Sequence, residues 1–348
     1  LPVLTSAATN APLISRIEAF ARAAIDAGLQ PALRVAMGAA ITDPAVRERP
    51  QWFRHGADGS ITLIGADDDA NRIAAFDFDG DAWEVIWMAI REQLIGWTSR
   101  GIRTFVVDDP ETAPLTFWEW LIAGVQRDAP DAVFVCDGAR RLAVARRLSK
   151  SGASQIALTL PAFAGRTELT TLLAPYFAAT SSADMRLQLA GGDIGSAGTR
   201  NAIGQARIQI TLAATLSPIC LVRPDRGLDD LDRVSKLLRS LLRVRRTYAS
   251  FAAGSTLTFH DTDNEQLLCF SRVSADGRQR ALVVVNLDPV NMQHGWVQVP
   301  AADWGLSGSY AVHDELNGQQ FDWHGARNYV RLEPSITPAH VLIFPDVV

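Results

Sequence analysis

Histidine is nearly missing from most of this chain. Of its six histidines, only His55 lies before residue 260. This argues against histidine-based catalysis and histidine metal sites in the first two thirds. Cysteine is scarce too: Cys136, Cys220 and Cys269 are three, an odd number, and lie far apart. They supply neither a disulfide framework nor a zinc cluster, and they fit a reducing compartment, so a cytoplasmic location is expected. No apolar run approaches the ~20 residues of a membrane helix; "VFVC" and "LVVVNL" are far too short. Basic blocks are lacking, and the formal charge is -5, which argues against binding a phosphate backbone. No G-x-G-x-x-G follows the first strand, which weakens a dinucleotide reading. The first residue is Leu and no signal peptide is visible, so a piece of a longer polypeptide is expected.

What remains is ample for a globular protein. The chain has 348 residues, 48% hydrophobic and 20% charged, enough for two or three domains with a real core. Residues 12–28 repeat apolar side chains at helical spacing and end in Gly28, and 31–37 then read as a strand. Helices follow at 81–100, 115–128, 139–150, 166–177, 199–216 and 228–249. Strands fall between them at 102–107, 131–136, 154–160, 185–190 and 219–222. Regular alternation of this kind makes a parallel sheet covered by helices, either an open doubly wound sheet or a (β/α)8 barrel. After residue 252 the texture changes to short β-type runs such as "QLLCFSRV", "RALVVVNL" and "GWVQV", separated by turns. These predict an antiparallel β-sandwich. The expected domains are 1–252 and 253–348.

In a parallel β/α fold the chemistry gathers at the C-terminal ends of the strands. Three acids stand there: Asp108 after strand 102–107, Asp137 after 131–136, and Asp193 in "AGGDIG" after 185–190. Three carboxylates on one rim suit glycosidic chemistry. One attacks the anomeric carbon, one protonates the leaving oxygen, and a third holds sugar hydroxyls; in the retaining mechanism the first two stand ~5–5.5 Å apart. The plainer reading is that these acids cap helices or start turns, as Asp109-Pro110 and Asp137-Gly138 would. Both readings stand on spacing alone. Trp83, Trp87 and Trp97 share one helix and read as core. "RVRRTYA" (243–249) reads as solvated surface complementing a helix dipole. "LAGGDIGSAG" (189–198) lacks the Lys of a phosphate loop. Cys136 reads as a buried small residue.

Several stretches carry a family resemblance: "RPQWFRHGADGSI" (49–61), "GIRTFVVDDPETAPLTFWEWLIA" (101–123), "LAATLSP" (212–218), "VVVNLDPVNMQHGWVQVP" (283–300) and "FDWHGARNYVRLEP" (321–334). In this order they resemble the bacterial α-1,4-glucan:maltose-1-phosphate maltosyltransferases, members of the α-amylase superfamily in glycoside hydrolase family 13. The resemblance implies an amylase-type (β/α)8 barrel, incomplete at its start because "LPVL" matches the family's second barrel strand, followed by an all-β sandwich domain. It implies retaining transfer of maltosyl units from a sugar phosphate to an α-glucan. It puts Asp108 on the nucleophile, Asp137 on the acid/base and Asp193 on the transition-state stabiliser, with Asp109 and Glu111 as substrate-binding positions. An α-glucan or malto-oligosaccharide and the remainder of a parent polypeptide are the implied partners, and a homodimer is compatible. Neither nucleic acid nor membrane is implied, and no cofactor or metal is expected.

The departures from that family point towards impaired chemistry. The family's Arg two residues before the nucleophile is Val106 here, and an Asp on an early strand is Arg34. The family's Glu acid/base is the shorter Asp137, and its Asn and His after the nucleophile are Asp109 and Glu111. "GADDDANR" (65–72) stands where the resemblance implies a lysine pair for the donor phosphate, and phosphate recognition calls for Lys, Arg or backbone N–H groups. A long loop is missing between "LVRPDR" and "GLDDL". Three functions follow as expectations: a module with impaired or lost catalysis that binds glucan, an active maltosyltransferase, and a purely structural domain.

Overall fold

The computed structural model describes residues 11–64, 72–139, 142–159, 165–177, 186–190, 200–217, 219–221 and 231–345. The chain divides into two compact units, 1–158 and 159–348.

The first unit opens with α1 (Ala11–Asp26) and β1 (Ala32–Ala36), then β2 (Gly38–Ala40), α2 (Pro44–Glu48), β3 (Leu63–Ile64) and β4 (Ile73–Ala75). It continues through α3 (Trp83–Thr98), β5 (Thr104–Asp108), α4 (Leu115–Asp128), β6 (Val133–Ala139), α5 (Leu142–Lys150) and β7 (Gln155–Thr159). Strands β1, β5, β6 and β7 are parallel neighbours in that order, and β2, β4 and β3 form a small antiparallel sheet beside them. The helices cover one face of the parallel strands because their apolar stripes fit it: Ile86, Ile90, Leu94 and Trp97 on α3, and Phe117, Trp118, Leu121, Ile122 and Val125 on α4 are all buried. Against them lie Leu33, Val35, Phe105, Val107, Phe134 and Cys136 in one core. Side chains alternate faces along a strand, so the intervening Arg34, Val106, Asp108 and Asp137 belong to the opposite face. Trp97 is buried and Trp87 packs on Phe117 and Trp120, as expected of core, while Trp83 closes on Trp87 yet stays 39% exposed.

The second unit holds α6 (Arg166–Phe177), β8 (Arg186–Ala190), α7 (Arg200–Leu216), β9 (Ile219–Leu221) and α8 (Leu231–Thr247). β8 and β9 pair in parallel. Among the described residues the parallel strands thus number four in the first unit and two in the second, short of the eight of a closed barrel. There follow β10 (Thr256–His260), β11 (Leu267–Val273), β12 (Arg280–Asn286), β13 (Gln293–Gln298), β14 (Ser309–Asp314), β15 (Gln319–His324), β16 (Arg327–Leu332) and β17 (Ala339–Ile343). Six of them form an antiparallel sheet, β10-β11-β12-β17-β14-β15, and β13 with β16 forms a ribbon. Leu267, Cys269, Leu282, Val284, Val297, Val330 and Leu342 fill the space between sheet and ribbon, which makes the expected sandwich.

The strand patterns follow from this layering. β14 and β16 alternate exposed and buried, since one face meets water. β11 and β12 are buried almost throughout and therefore read as near-continuous apolar runs. Their far face meets α7, a helix buried nearly all round, where Thr211 and Thr215 return their hydroxyls to the carbonyls of Arg207 and Thr211. A Cβ at Gly204 of α7 would stand 2.1 Å from the Pro289 carbonyl oxygen, so only glycine permits this approach.

One expectation needs correcting. "RVRRTYA" is not wholly solvated surface: Arg243 and Arg246 are exposed, but Arg245 donates to the Ser217 carbonyl at 2.7 Å and Tyr248 to the Glu315 carboxylate at 2.7 Å. Arg245 serves the end of a neighbouring helix, α7, rather than its own, and Arg243 donates to the Glu315 carbonyl.

Candidate active site

The register of three parallel strands builds the site. Asp108, the last residue of β5, pairs with Asp137 on β6. Ala36 on β1 pairs with Asp108, and Arg34 pairs with Val106. Neighbouring strands lie ~4.8 Å apart, so the two acids stand side by side on one face at the C-terminal end of the sheet. Asp137 lies inside β6, whose pairing with β7 shifts between Cys136 and Ala139, rather than just after a strand.

Arg34 holds both acids. Its Nε donates to Asp108 Oδ2 at 2.8 Å and its Nη2 to Asp137 Oδ2 at 2.7 Å, and Nη2 also pairs with Asp108 Oδ1. The fork geometry of a guanidinium suits such bidentate contact. Asp137 is 2% exposed, whereas the Arg34 and Asp108 side chains are 42% and 36% exposed. Burial works against the Arg34 charge, but the charges and hydrogen bonds of Asp108 and Asp137 outweigh it and raise its pKa. Beside Asp137 on the helix-facing side, burial pushes the Cys136 thiol up to about 12. It is an inert core residue, as its surroundings in the sequence suggested.

The loop after Asp108 is fixed rather than loose. Asp109 has φ 44, a left-handed backbone that Asp tolerates better than most residues. Its N–H donates to the Asp137 carbonyl at 3.0 Å, tying the two acid-bearing strand ends together. Residues Pro110–Thr112 make one 3-10 turn that holds Glu111, and the buried Trp118 indole donates to the Pro110 carbonyl at 2.8 Å. Gly138 has φ +82, which explains the Asp-Gly pair in the sequence.

The structure therefore brings Asp108 and Asp137 together and sets Asp109 and Glu111 on the adjoining loop. Asp193 lies outside the described residues, as do 65–71 of the acidic run and 222–230 around the shortened loop. Sequence reasoning marked Arg34 as a departure but not as the partner of both acids. The available signal was a lone cation at an inward position of "PALRVAM", two residues from either end of β1.

Comparison with known proteins shows what this chain is similar to. The model of the family described as "GLGE, C-terminal" matches residues 259–344. The α-1,4-glucan:maltose-1-phosphate maltosyltransferase of Myxococcus xanthus is 31% identical over 88% of this chain and 51% of its own length. That of Chlorobaculum tepidum is 28% identical over 94% of this chain and 55% of its own. The chain thus spans about half the length of the curated relatives it matches. Among solved structures, an Anoxybacillus α-amylase superposes with a TM-score of 0.63 at 11% identity, covering 95% of this chain and 79% of that one. The cyclomaltodextrin glucanotransferase CldA gives 0.63 at 13% identity, covering 95% and 78%. The fold is accordingly an amylase-type parallel β/α domain followed by a β-sandwich, and by sequence the chain is similar to the α-1,4-glucan:maltose-1-phosphate maltosyltransferases over most of its own length.

Proposed function

We propose that this chain is a maltosyltransferase-type module of α-1,4-glucan metabolism in which glucan binding is kept and transfer is impaired. Its functional division falls at residues 252/253, with the sugar site on the β/α part and Asp108, Asp137 and Asp193 in the nucleophile, acid/base and stabilising positions. Asp109 and Glu111 contact the sugar. Its setting is a reducing cytoplasm, consistent with the buried, free thiols of Cys136 and Cys269.

One observation supports impairment above the others: a single guanidinium engages three oxygens of the Asp108–Asp137 pair. Retaining transfer asks one carboxylate to attack carbon and the other group to deliver a proton. A nucleophile engaged on both oxygens must first break charge-assisted bonds, which are about twice as strong as neutral ones. Asp137 is also a methylene shorter than the Glu that the resemblance implies, and ~1 Å of misplacement can cost ~100-fold in rate.

The test uses α-maltose-1-phosphate and glycogen with the chain in its natural polypeptide. Phosphate release is expected to be at least ~100-fold slower than for the Myxococcus xanthus relative, while glycogen in a native gel slows migration. Release at the relative's pace would refute impairment. Unchanged migration would refute glucan binding and leave a structural role.

A further inference from the structure

On the inner face of β1 the residues are Ala32, Arg34 and Ala36, so Arg34 is flanked by alanines on its own strand. Its register partner across to β5 is Val106, two residues before Asp108. From that lower rung the side chain climbs past Val106 to reach both acids. Valine offers no donor and little bulk, and so leaves the path open. Asp137 has 2% exposure while Arg34 keeps 42%, so the guanidinium, rather than the inner carboxylate, is what solvent meets.

We infer that Arg34 is a built-in clamp: it occupies the carboxylate pair of the sugar site in place of a ligand, from a position that a cation at residue 106 would contest. The inference rests on the reading of this face as an α-glucan site. Sugar hydroxyls recognise carboxylates by donating to them, and the Asp108 oxygens and Asp137 Oδ2 already accept from Arg34. A glucan must displace those bonds or bind beside them. Positions 34 and 106 are paired on adjacent strands and share a face, so two guanidiniums there would repel each other and compete for the same acids. Of the other charged groups, Asp109 and Glu111 lie on the loop that follows β5. They are acids, and neither can replace the cation.

The experiment is a set of single and double variants read by maltoheptaose titration and by Tm. Arg34→Met is expected to bind maltoheptaose about ten-fold more tightly, and Arg34→Lys, which keeps the charge but loses the fork, two- to three-fold. The lysine variant keeps the test alive if the methionine variant does not fold. Val106→Arg alone is expected to lower Tm by about 5 °C, and to lower it by much less in the Arg34→Met background, because the second guanidinium then takes the vacated place. Folded Arg34 variants that bind maltoheptaose no better than the parent chain, which itself binds, would overturn the clamp. So would additive Tm changes. Strong coupling of 34 with 106, without sugar binding by any variant, would uphold the clamp and reject the glucan reading.

Discussion

A histidine in the β-sandwich shows how a single residue sets a pH response. His260 lies on β10 with its Nε2 2.7 Å from the Ser271 hydroxyl on β11. Burial pushes its pKa below the usual imidazole value, against the pull of Asp261 and Asp303. The unfolded chain then takes up this proton near pH ~6.5 while the folded chain still refuses it. Its contribution to stability is therefore complete above that pH and is lost as pH falls through the lowered folded value. Thermal unfolding should show Tm falling as pH drops below about 6.5, and His260→Gln should flatten that slope. The carboxyls held low by hydrogen bonds, such as Asp276 and Asp288, lose theirs only below the usual carboxylate range near ~4, so that loss begins at a lower pH.

At the scale of an element, the acid-bearing loop depends on a helix. α4 begins directly after the loop, and its Trp118, fully buried, donates its indole N–H to the Pro110 carbonyl. Together with the bond from Asp109 to the Asp137 carbonyl, this joins strand end, turn and helix into one rigid corner. Trp118→Phe keeps the ring contacts with Phe117 in part but leaves the Pro110 carbonyl without its donor. Leaving a buried acceptor unmade costs ~1–3 kcal/mol, so a Tm decrease of about 3–8 °C is expected in calorimetry. A variant with unchanged Tm would show that the corner does not need this bond.

The second unit as a whole turns on a buried cation with no carboxylate beside it in its hydrogen-bond set. Arg272, 2% exposed, points from β11 at the end of α7. It donates to the carbonyls of Ser250 at 2.9 Å, Thr215 at 3.2 Å and Leu216 at 2.7 Å, and it bonds the Ser255 hydroxyl. Arg245 meets the same helix end through Ala214 and Ser217. A helix C-terminus leaves carbonyls unpaired and carries partial negative charge, so these two arginines stand in for a counter-ion. Burial, with the Arg245 charge adding to it, pushes the Arg272 guanidinium down to about 9, still charged at neutral pH. Arg272→Met should orphan several buried carbonyls and cost more than ~3 kcal/mol, with urea unfolding as the measure. Arg272→Lys should recover only part, because three donors on one nitrogen cannot span both acceptor segments, 215–216 and 250–255.

Much of this was readable from residue order. Period-2 and period-3.6 patterning placed the long helices and the parallel strands to within a few residues, but missed β2, α2, β3 and β4, which are too short to show a period. The near-unbroken apolar runs of β11 and β12 also carried information, because a sheet covered on both faces leaves no polar side to write. Asp108 at a strand end and Asp137-Gly138 at a kink were visible because they depend on local backbone geometry. The double use of Arg34 was not. It is 74 residues from Asp108 and 103 from Asp137, and no local spacing links them. "RVRRTYA" was misread for the same reason: a cation at one helix end looks alike whether it serves its own carbonyls or another helix's.

The sequence by itself determined the kinds of element, their order and the positions of the acids, because these follow from side-chain periodicity and turn chemistry within a few residues. Only the tertiary structure decided that Asp108 faces Asp137 and that one guanidinium holds both. Register between parallel strands is set through long crossovers and core packing, and ion pairs form wherever that register brings opposite charges within reach.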